Sequence, residues 1–349
     1  MKILITGNLG YVGPGVVNEF RTHYPDAEIF GFDIGYFAKH ITNNTIIPES
    51  YLDIQYYGDV RNFPERLLEG VDTVVNLAAI SNDPIGNKFE EVTLDINYKS
   101  SISIAKMAKR MGVKNFVFAS SCSVYGAAED AARKEESKVN PLTAYAKSKV
   151  FTENDLAGLA DEKFKITCHR FATACGMSER LRLDLVLNDF VAGALTSGEI
   201  TILSDGTPWR PLINVKDMAR AIRWSHERKH DEGGHFLIVN SGSDQWNYQV
   251  KELAEKVQGL MPDIKVSINQ NAAPDKRSYR VDFGLFKKLA PDHQPLFTLE
   301  NSIKGLIDGL NFIGFNVKDF RNSRYMRLYV INHLIENGII DNDLKLISI

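Results

Sequence analysis

Cysteine is scarce: Cys122, Cys168 and Cys175 are the three in 349 residues. They form no C-x-x-C pair and no short secreted framework, which argues against a metal cage or a disulfide scaffold. Neither sign of charge dominates. With 41 Lys+Arg against 44 Asp+Glu the net charge is −3, which leaves no electrostatic footprint for nucleic acid. Long apolar runs are missing too, and none approaches the roughly 18 residues of a membrane span. The opening Met-Lys-Ile-Leu-Ile-Thr-Gly is a short apolar run that turns into glycines. It lacks the longer apolar region and small-residue cleavage site of a signal peptide. It reads as a buried strand, and the chain as cytoplasmic. No internal repeat and no low-complexity segment interrupts the sequence.

What is present is ordinary for a globular protein: 44% hydrophobic and 24% charged residues. A chain of this mass can bury about three quarters of its extended surface, and its length suggests about two domains. Short apolar runs at Lys2–Thr6, Glu28–Asp33, Asp53–Tyr57, Thr73–Leu77, Lys114–Ser120 and Lys165–Arg170 alternate with helical patterns such as Phe89–Met111. Strands alternating with helices predict a parallel sheet with right-handed crossovers. Beyond Arg170 the pattern loosens. Helical periods recur at Leu185–Ala194, Val215–Arg228 and Tyr248–Gln258, with a strand pattern at His235–Asn240. Asn322–Ile349 carries a helical pattern to which no role is assigned.

The first strand leads into Gly7-Asn8-Leu9-Gly10-Tyr11-Val12-Gly13 and then a helix to Arg21. Glycines at this spacing give a tight turn, a close backbone approach to a pyrophosphate and close helix–strand packing. The pyrophosphate would rest on the helix N-terminus, where free N–H groups and the dipole favour an anion. Asp33 ends the second strand, 20 residues after Gly13. A carboxylate there can bond adenosine ribose hydroxyls and repel a 2′-phosphate, which favours NAD over NADP. A solvated strand end or a cap is the alternative for Asp33. Asp59 is placed to contact adenine, with a loop cap as its alternative.

Tyr145 and Lys149 stand four apart, one turn apart on a helix face. An ammonium near a phenol stabilises the phenolate and makes the tyrosine a usable base near neutral pH. Upstream, Ser120-Ser121-Cys122-Ser123-Val124-Tyr125-Gly126 ends a strand pattern. A serine hydroxyl there can share a substrate proton with the tyrosine.

Together these segments resemble the extended short-chain dehydrogenase/reductase family, the NAD-dependent nucleotide-sugar epimerases and dehydratases. The resemblance covers roughly residues 1–320. It rests on Thr6–Gly13, Asp33, Asp59-Val60, Asn76–Ala79, Ser120–Gly126, Tyr145-x-x-x-Lys149 and Arg210–Asp217. It implies an α/β fold: a Rossmann-type doubly wound parallel sheet with a smaller mixed α/β C-terminal substrate domain. The expected layout is 1–169 plus about 214–243 for the NAD-binding domain, 170–213 and 244–320 for the substrate domain, and 321–349 as a helical tail.

By the same resemblance Ser121, Tyr145 and Lys149 form the catalytic triad. Gly7 to Gly13 (including Asn8, Leu9, Gly10, Tyr11 and Val12), Asp33, Asp59, Val60, Leu77, Ala78 and Ala79 hold NAD, with Tyr145 and Lys149. Asn188 and Arg210 are matched to the nucleotide diphosphate, and Ser81, Asn82 and Thr173 to the sugar pocket. Arg180, Arg182 and Arg277 are further candidates for phosphate or sugar. No metal is expected. The resemblance also implies a homodimer through the helices Phe89–Met111 and Thr143–Leu159, and a nucleotide-sugar substrate as the partner, with neither nucleic acid nor membrane.

Cys122 and Ser123 occupy the two positions after the catalytic serine, where 4,6-dehydratases of this family carry acids. Dehydration is therefore disfavoured. Thr173 replaces the family's common asparagine, shortening the contact there. What remains is chemistry at one carbon, most simply C4. The sequence expects 4-epimerisation through a transient 4-keto sugar, with a net 4-dehydrogenase or keto-reductase as the alternative. A non-catalytic NAD-binding module is disfavoured because the serine, tyrosine and lysine are all retained.

Overall fold

In a computed structural model the chain is described over residues 1–42, 46–81, 83–128, 131–269 and 277–347. The first half reads β1 (Lys2–Thr6), α1 (Gly13–His23), β2 (Glu28–Asp33), β3 (Ile54–Tyr57), β4 (Thr73–Asn76), α2 (Asp83–Lys88), α3 (Glu90–Leu94), α4 (Ser100–Arg110), β5 (Asn115–Ser121), α5 (Ala144–Ala157) and β6 (Lys165–Phe171). There follow β7 (Thr173–Cys175), α6 (Val186–Ser197), β8 (Glu199–Ile202), β9 (Trp209–Asn214), α7 (Val215–Glu227), β10 (Phe236–Ser241), β11 (Asn247–Gln249), α8 (Val250–Leu260), β12 (Lys265–Ile268), α9 (Gly284–Leu289), α10 (Leu299–Phe312) and α11 (Arg327–Glu336).

Seven strands form one parallel sheet in the order β10-β6-β5-β4-β1-β2-β3. This is a Rossmann-type fold. Its strands are apolar on both faces because both faces are covered. Ile3, Ile5, Val75 and Val117 pack under α1 and α7 with Val16, Phe20, Ala219 and Ile222. Leu4, Val74, Phe116 and Phe118 pack on the other face with Ile104, Ala105, Ala108 and Leu156. A separate apolar cluster joins α6, α8 and α10 through Leu187, Val191, Leu253, Val257, Ile303 and Leu306. Two small sheets, β11-β9-β7 and β12-β8, belong to this second half.

The helix expected over Phe89–Met111 is broken into α3, a π-helical segment at Asp95–Lys99, and α4. Asn97 lies in the π turn, and its side chain clamps a neighbouring backbone. Oδ1 accepts the Ile80 N–H at 2.7 Å, and Nδ2 donates to the Ile80 carbonyl at 3.0 Å. The helical pattern expected over Asn322–Ile349 is realised as helix over Arg327–Glu336. Val330, Ile331, Leu334, Ile340 and Leu344 from this segment lie in the sheet's own apolar cluster. No helix among the described residues is long and apolar enough to cross a membrane.

Candidate active site

β1 and β4 are neighbours in the sheet although the chain runs from β1 to β2, so the strand order reverses between them. Ligands of such sheets bind outside the carboxyl ends of the strands at that reversal. A cavity of about 840 Å³ opens there. Gly7 is required where the loop leaves β1: its φ is +75°, and a Cβ would lie 2.5 Å from the Ala78 backbone nitrogen. At Gly13 a Cβ would lie 2.0 Å from the Asn8 carbonyl oxygen, so α1 can start only on a glycine.

α1 has no side-chain cap and no acid in its first turn, so its leading N–H groups are free of side-chain partners and suit an anion. Asp33 lines the same cavity. Its carboxylate accepts the Leu9 N–H at 3.1 Å and the Gly35 N–H at 2.7 Å, tying the glycine loop to the end of β2. Burial pushes this carboxyl above its ordinary range, against the two N–H donors. Gly7, Gly10, Tyr11, Val12, Asp59, Val60, Leu77, Ala78 and Ala79 share the wall with Asp33. An uncapped helix start, a glycine loop and a carboxylate at the ribose position fit a dinucleotide. Asn8 and Leu9 are buried behind the loop, Asn8 through its amide bond to Gln55 at 2.5 Å. Asp59 lines the cavity and also caps a 3₁₀ turn, with its carboxylate paired to Arg61 at 2.5 Å.

Deeper in the cavity β5 ends at Ser121 and α5 begins at Ala144. Thr143 caps α5 by accepting the Ala146 N–H at 3.2 Å, and it donates to Asp83 at 2.9 Å. That start places Tyr145 in the first turn, facing the cavity that Ser121 also lines. Burial pushes the phenol up to about 12; the Ser121 hydroxyl pulls the other way. Lys149, one turn on, is buried. Its Nζ donates to the Ala119 carbonyl at 2.7 Å and sits 5.3 Å from the Tyr145 ring centroid. Burial draws its ammonium down to about 7, opposed by Glu153. The lysine is thus poised between charged and neutral at physiological pH, beside a phenol that needs a cation to ionise.

Other expected site residues divide into two groups. Ser81, Thr173, Arg210 and Arg277 line the cavity. Arg210 donates to the main-chain carbonyls of Trp209 (2.9 Å) and Arg277, while Arg277 pairs with Asp83 at 2.6 Å. Arg182 also lines it, held in a fork by Asp184 at 2.7 and 3.0 Å. Two candidates do not reach the wall. The Asn188 amide is consumed internally: Oδ1 accepts from Gly176 N–H at 2.9 Å, and Nδ2 donates to Tyr11 Oη and the Arg182 carbonyl. It therefore organises the loop behind the cavity. Arg180 is buried against Glu49 and the Ala38 carbonyl. Asn82 lies outside the described residues.

Sequence reading missed Asp83, Tyr279 and Arg327, all of which line the cavity. It also missed the buried pair Glu153–Arg170. Glu153 had a legible signal, since Tyr145, Lys149 and Glu153 repeat at four-residue intervals on one helix face. Arg327 had none.

A family profile described as NAD dependent epimerase/dehydratase family matches residues 3–240. The chain belongs to this NAD-dependent epimerase/dehydratase family. It is accordingly an enzyme, and NAD is its cofactor. Similar sequences include the UDP-glucose 4-epimerase of Lactobacillus helveticus, 25% identical over 307 residues, which are 81% of this chain and 88% of the relative. UDP-glucuronic acid decarboxylase 6 of Arabidopsis thaliana is 25% identical over 298 residues, 83% of each chain. Among solved structures, an NAD-dependent NDP-hexosamine 5,6-dehydratase of tunicamycin biosynthesis superposes with a TM-score of 0.76 at 24% identity, covering 89% of this chain and 97% of its own. The UDP-N-acetylglucosamine 4-epimerase of Methanobrevibacter ruminantium superposes at 0.74 with 20% identity, covering 89% and 97%. These structural likenesses establish the fold. The family's members differ in reaction, so the reaction has to be argued from this cavity.

Proposed function

We propose that this family member epimerises a nucleotide-diphosphate sugar at C4 through a transient 4-keto sugar. The observation that carries the reading is the gathering of Ser121, Tyr145 and Lys149 in one cavity whose carboxylates, among the described residues, are all engaged. Cys122 follows Ser121 but turns away, buried, with Sγ bonded to the Arg170 carbonyl at 3.0 Å. Ser123 is the next residue, a hydroxyl and not an acid. Among the described lining residues, Asp33 is held by backbone N–H groups, Asp59 by Arg61, Asp83 by Thr143 and Arg277, Asp184 by Arg182, and Asp189 by Arg321. Elimination of water needs a free acid and base beside the leaving group; oxidation and reduction at one carbon need, besides the cofactor's hydride acceptor, only a proton carrier.

Tyr145 takes the proton of the C4 hydroxyl, and Ser121 holds that hydroxyl in line. Lys149, when charged, stabilises the phenolate that would otherwise be costly in this buried site. When bound, NAD supplies a reversible hydride acceptor. Arg210, which lines the cavity, is matched to the substrate diphosphate, a role its guanidinium fork suits, with Arg277 as a further candidate for phosphate or sugar. Relatives named as 4-epimerases support this reading. The second reading, a net 4-dehydrogenase or keto-reductase, uses the same three residues and differs only in release of the keto sugar.

The test is incubation of the NAD-loaded enzyme with UDP-, GDP-, CDP- and dTDP-sugars in deuterated water. Interconversion of C4 epimers without solvent deuterium in the sugar is expected. Deuterium at C3 or C5 overturns C4-only chemistry, and accumulation of NADH without an added acceptor selects the dehydrogenase. The chain is proposed to act as a homodimer through the helical segments Phe89–Met111 and Thr143–Leu159, where Phe151 is 42% exposed and packs edge-on against Tyr98. Light scattering showing a single species of 39.2 kDa would sink the dimer.

A further inference from the structure

The C-terminal segment reaches into the cofactor cavity. Met326 and Arg327, at the start of α11, line the same wall as Asp33, Tyr36 and Phe37. The segment is fixed there, because its apolar residues belong to the sheet's cluster. Polar bonds add to this: Tyr36 donates to the Leu344 carbonyl, and Arg61 donates to the Asp343 and Leu344 carbonyls, the former at 2.6 Å. Arg327 is therefore a placed side chain and not a surface one, at 4% exposure. Its guanidinium carbon lies 3.9 Å over the Phe37 ring centroid, a cation–π contact that holds the fork in place. One donor, Nη2, goes to the Arg180 carbonyl at 3.1 Å.

What Arg327 lacks is a counter-ion. Its neighbours have theirs, Arg180 in Glu49 and Arg182 in Asp184, each at 2.7 Å, but Arg327 forms no ion pair with a described residue. Burial and the charges of Arg182 and Arg180 weigh against its cation, with Asp184 and Asp33 opposing. Arginine keeps its proton, and an unpaired buried cation is strongly unfavourable. A site of this kind is completed by an anion. Arg327 lines the cavity together with Asp33 at the end of β2 and with Gly7 and Gly10 of the glycine loop, and planar two-pronged donation matches phosphate oxygens. Arg210, the residue matched to the substrate diphosphate, lies on a different element, β9.

We propose that Arg327 is a cofactor-binding residue supplied by the C-terminal segment, donating to the diphosphate of the dinucleotide so that α11 clamps NAD in place. The proposal rests on the cofactor assignment and is independent of the reaction at C4.

The experiment titrates NAD-stripped protein by calorimetry with NAD, ADP-ribose, adenosine and UDP, for the parent chain, Arg327→Gln and Arg327→Lys. Loss of a charge-assisted contact of about 1.5–3 kcal/mol is expected to weaken NAD and ADP-ribose by about 10- to 150-fold in Arg327→Gln, and less in Arg327→Lys. Adenosine and UDP should bind unchanged. Unchanged NAD affinity overturns the proposal. So does an equal loss for adenosine, which marks a packing role, or a loss confined to UDP, which assigns the fork to the substrate. Should Arg327→Gln fail to fold, hydrogen exchange on the parent protein decides: ADP-ribose should protect the amides of Arg327–Glu336, and no change refutes the clamp.

Discussion

The Glu153 carboxylate receives Arg170 Nη2 at 2.7 Å and Nε at 3.0 Å, and it also accepts the Ser120 hydroxyl at 2.5 Å. Both partners are buried, and Glu153 is the foremost group favouring the charged form of Lys149. One ion pair thus braces the strand end that carries Ser121 and the helix that carries Tyr145. Glu153→Gln should cost about 3–5 kcal/mol in urea unfolding, because it leaves Arg170 charged and unpaired in the interior. Replacing both by leucine should recover most of that loss. A Glu153→Gln variant as stable as the parent contradicts the bracing role.

Tyr145→Phe should lower kcat/KM by about 10²- to 10⁴-fold while NAD still binds, since it removes the proton carrier and little volume. Ser121→Ala should fall in the same range. Steady-state kinetics together with NAD titration check both. Retained turnover in Tyr145→Phe would move the proton transfer to another group.

Lys149 gives a pH signature. It titrates near 7 in the folded chain, against 10.5 for an ordinary lysine. Between those values the unfolded chain binds more protons, so stability rises with pH at up to about 1.4 kcal/mol per unit. Below about 7 both states are protonated, and above 10.5 neither is, so the contribution is flat on either side. Urea midpoints measured from pH 7 to 10 should therefore rise less in Lys149→Met than in the parent. Parallel curves would mean the lysine keeps an ordinary affinity for its proton.

Gly7→Ala should abolish NAD binding. The added methyl meets the Ala78 backbone at 2.5 Å on a residue with φ +75°, so β1 and β4 must part where the cofactor lies. Calorimetry with NAD reads this directly, and a variant that binds like the parent would show the loop can yield.

The parallel sheet was legible because its strands are short apolar runs set between helical periods, and β1 and β2 begin and end where the sequence placed them. Ser121, Tyr145 and Lys149 were legible as a motif, and the fold brings them together. Asn188 misled because an amide on α6 says nothing about which side of its helix faces the cavity. Arg327 was invisible for a different reason. Its neighbours Phe37 and Asp33 are almost the whole chain away, and no periodicity encodes a contact of that span. The π turn escaped as well, since a helical period carries no sign that one turn is widened.

That π turn is, in register terms, one residue more than an α-helix needs. The flanks α3 and α4 keep their facing because the surplus is absorbed locally between them. A chain lacking one residue within Asp95–Lys99 would close into a continuous helix with both flanks still packed. It would lose the grip of Asn97 on Ile80, whose backbone is part of the cavity wall. The widened turn thus serves the shape of the pocket and not the stability of the helix.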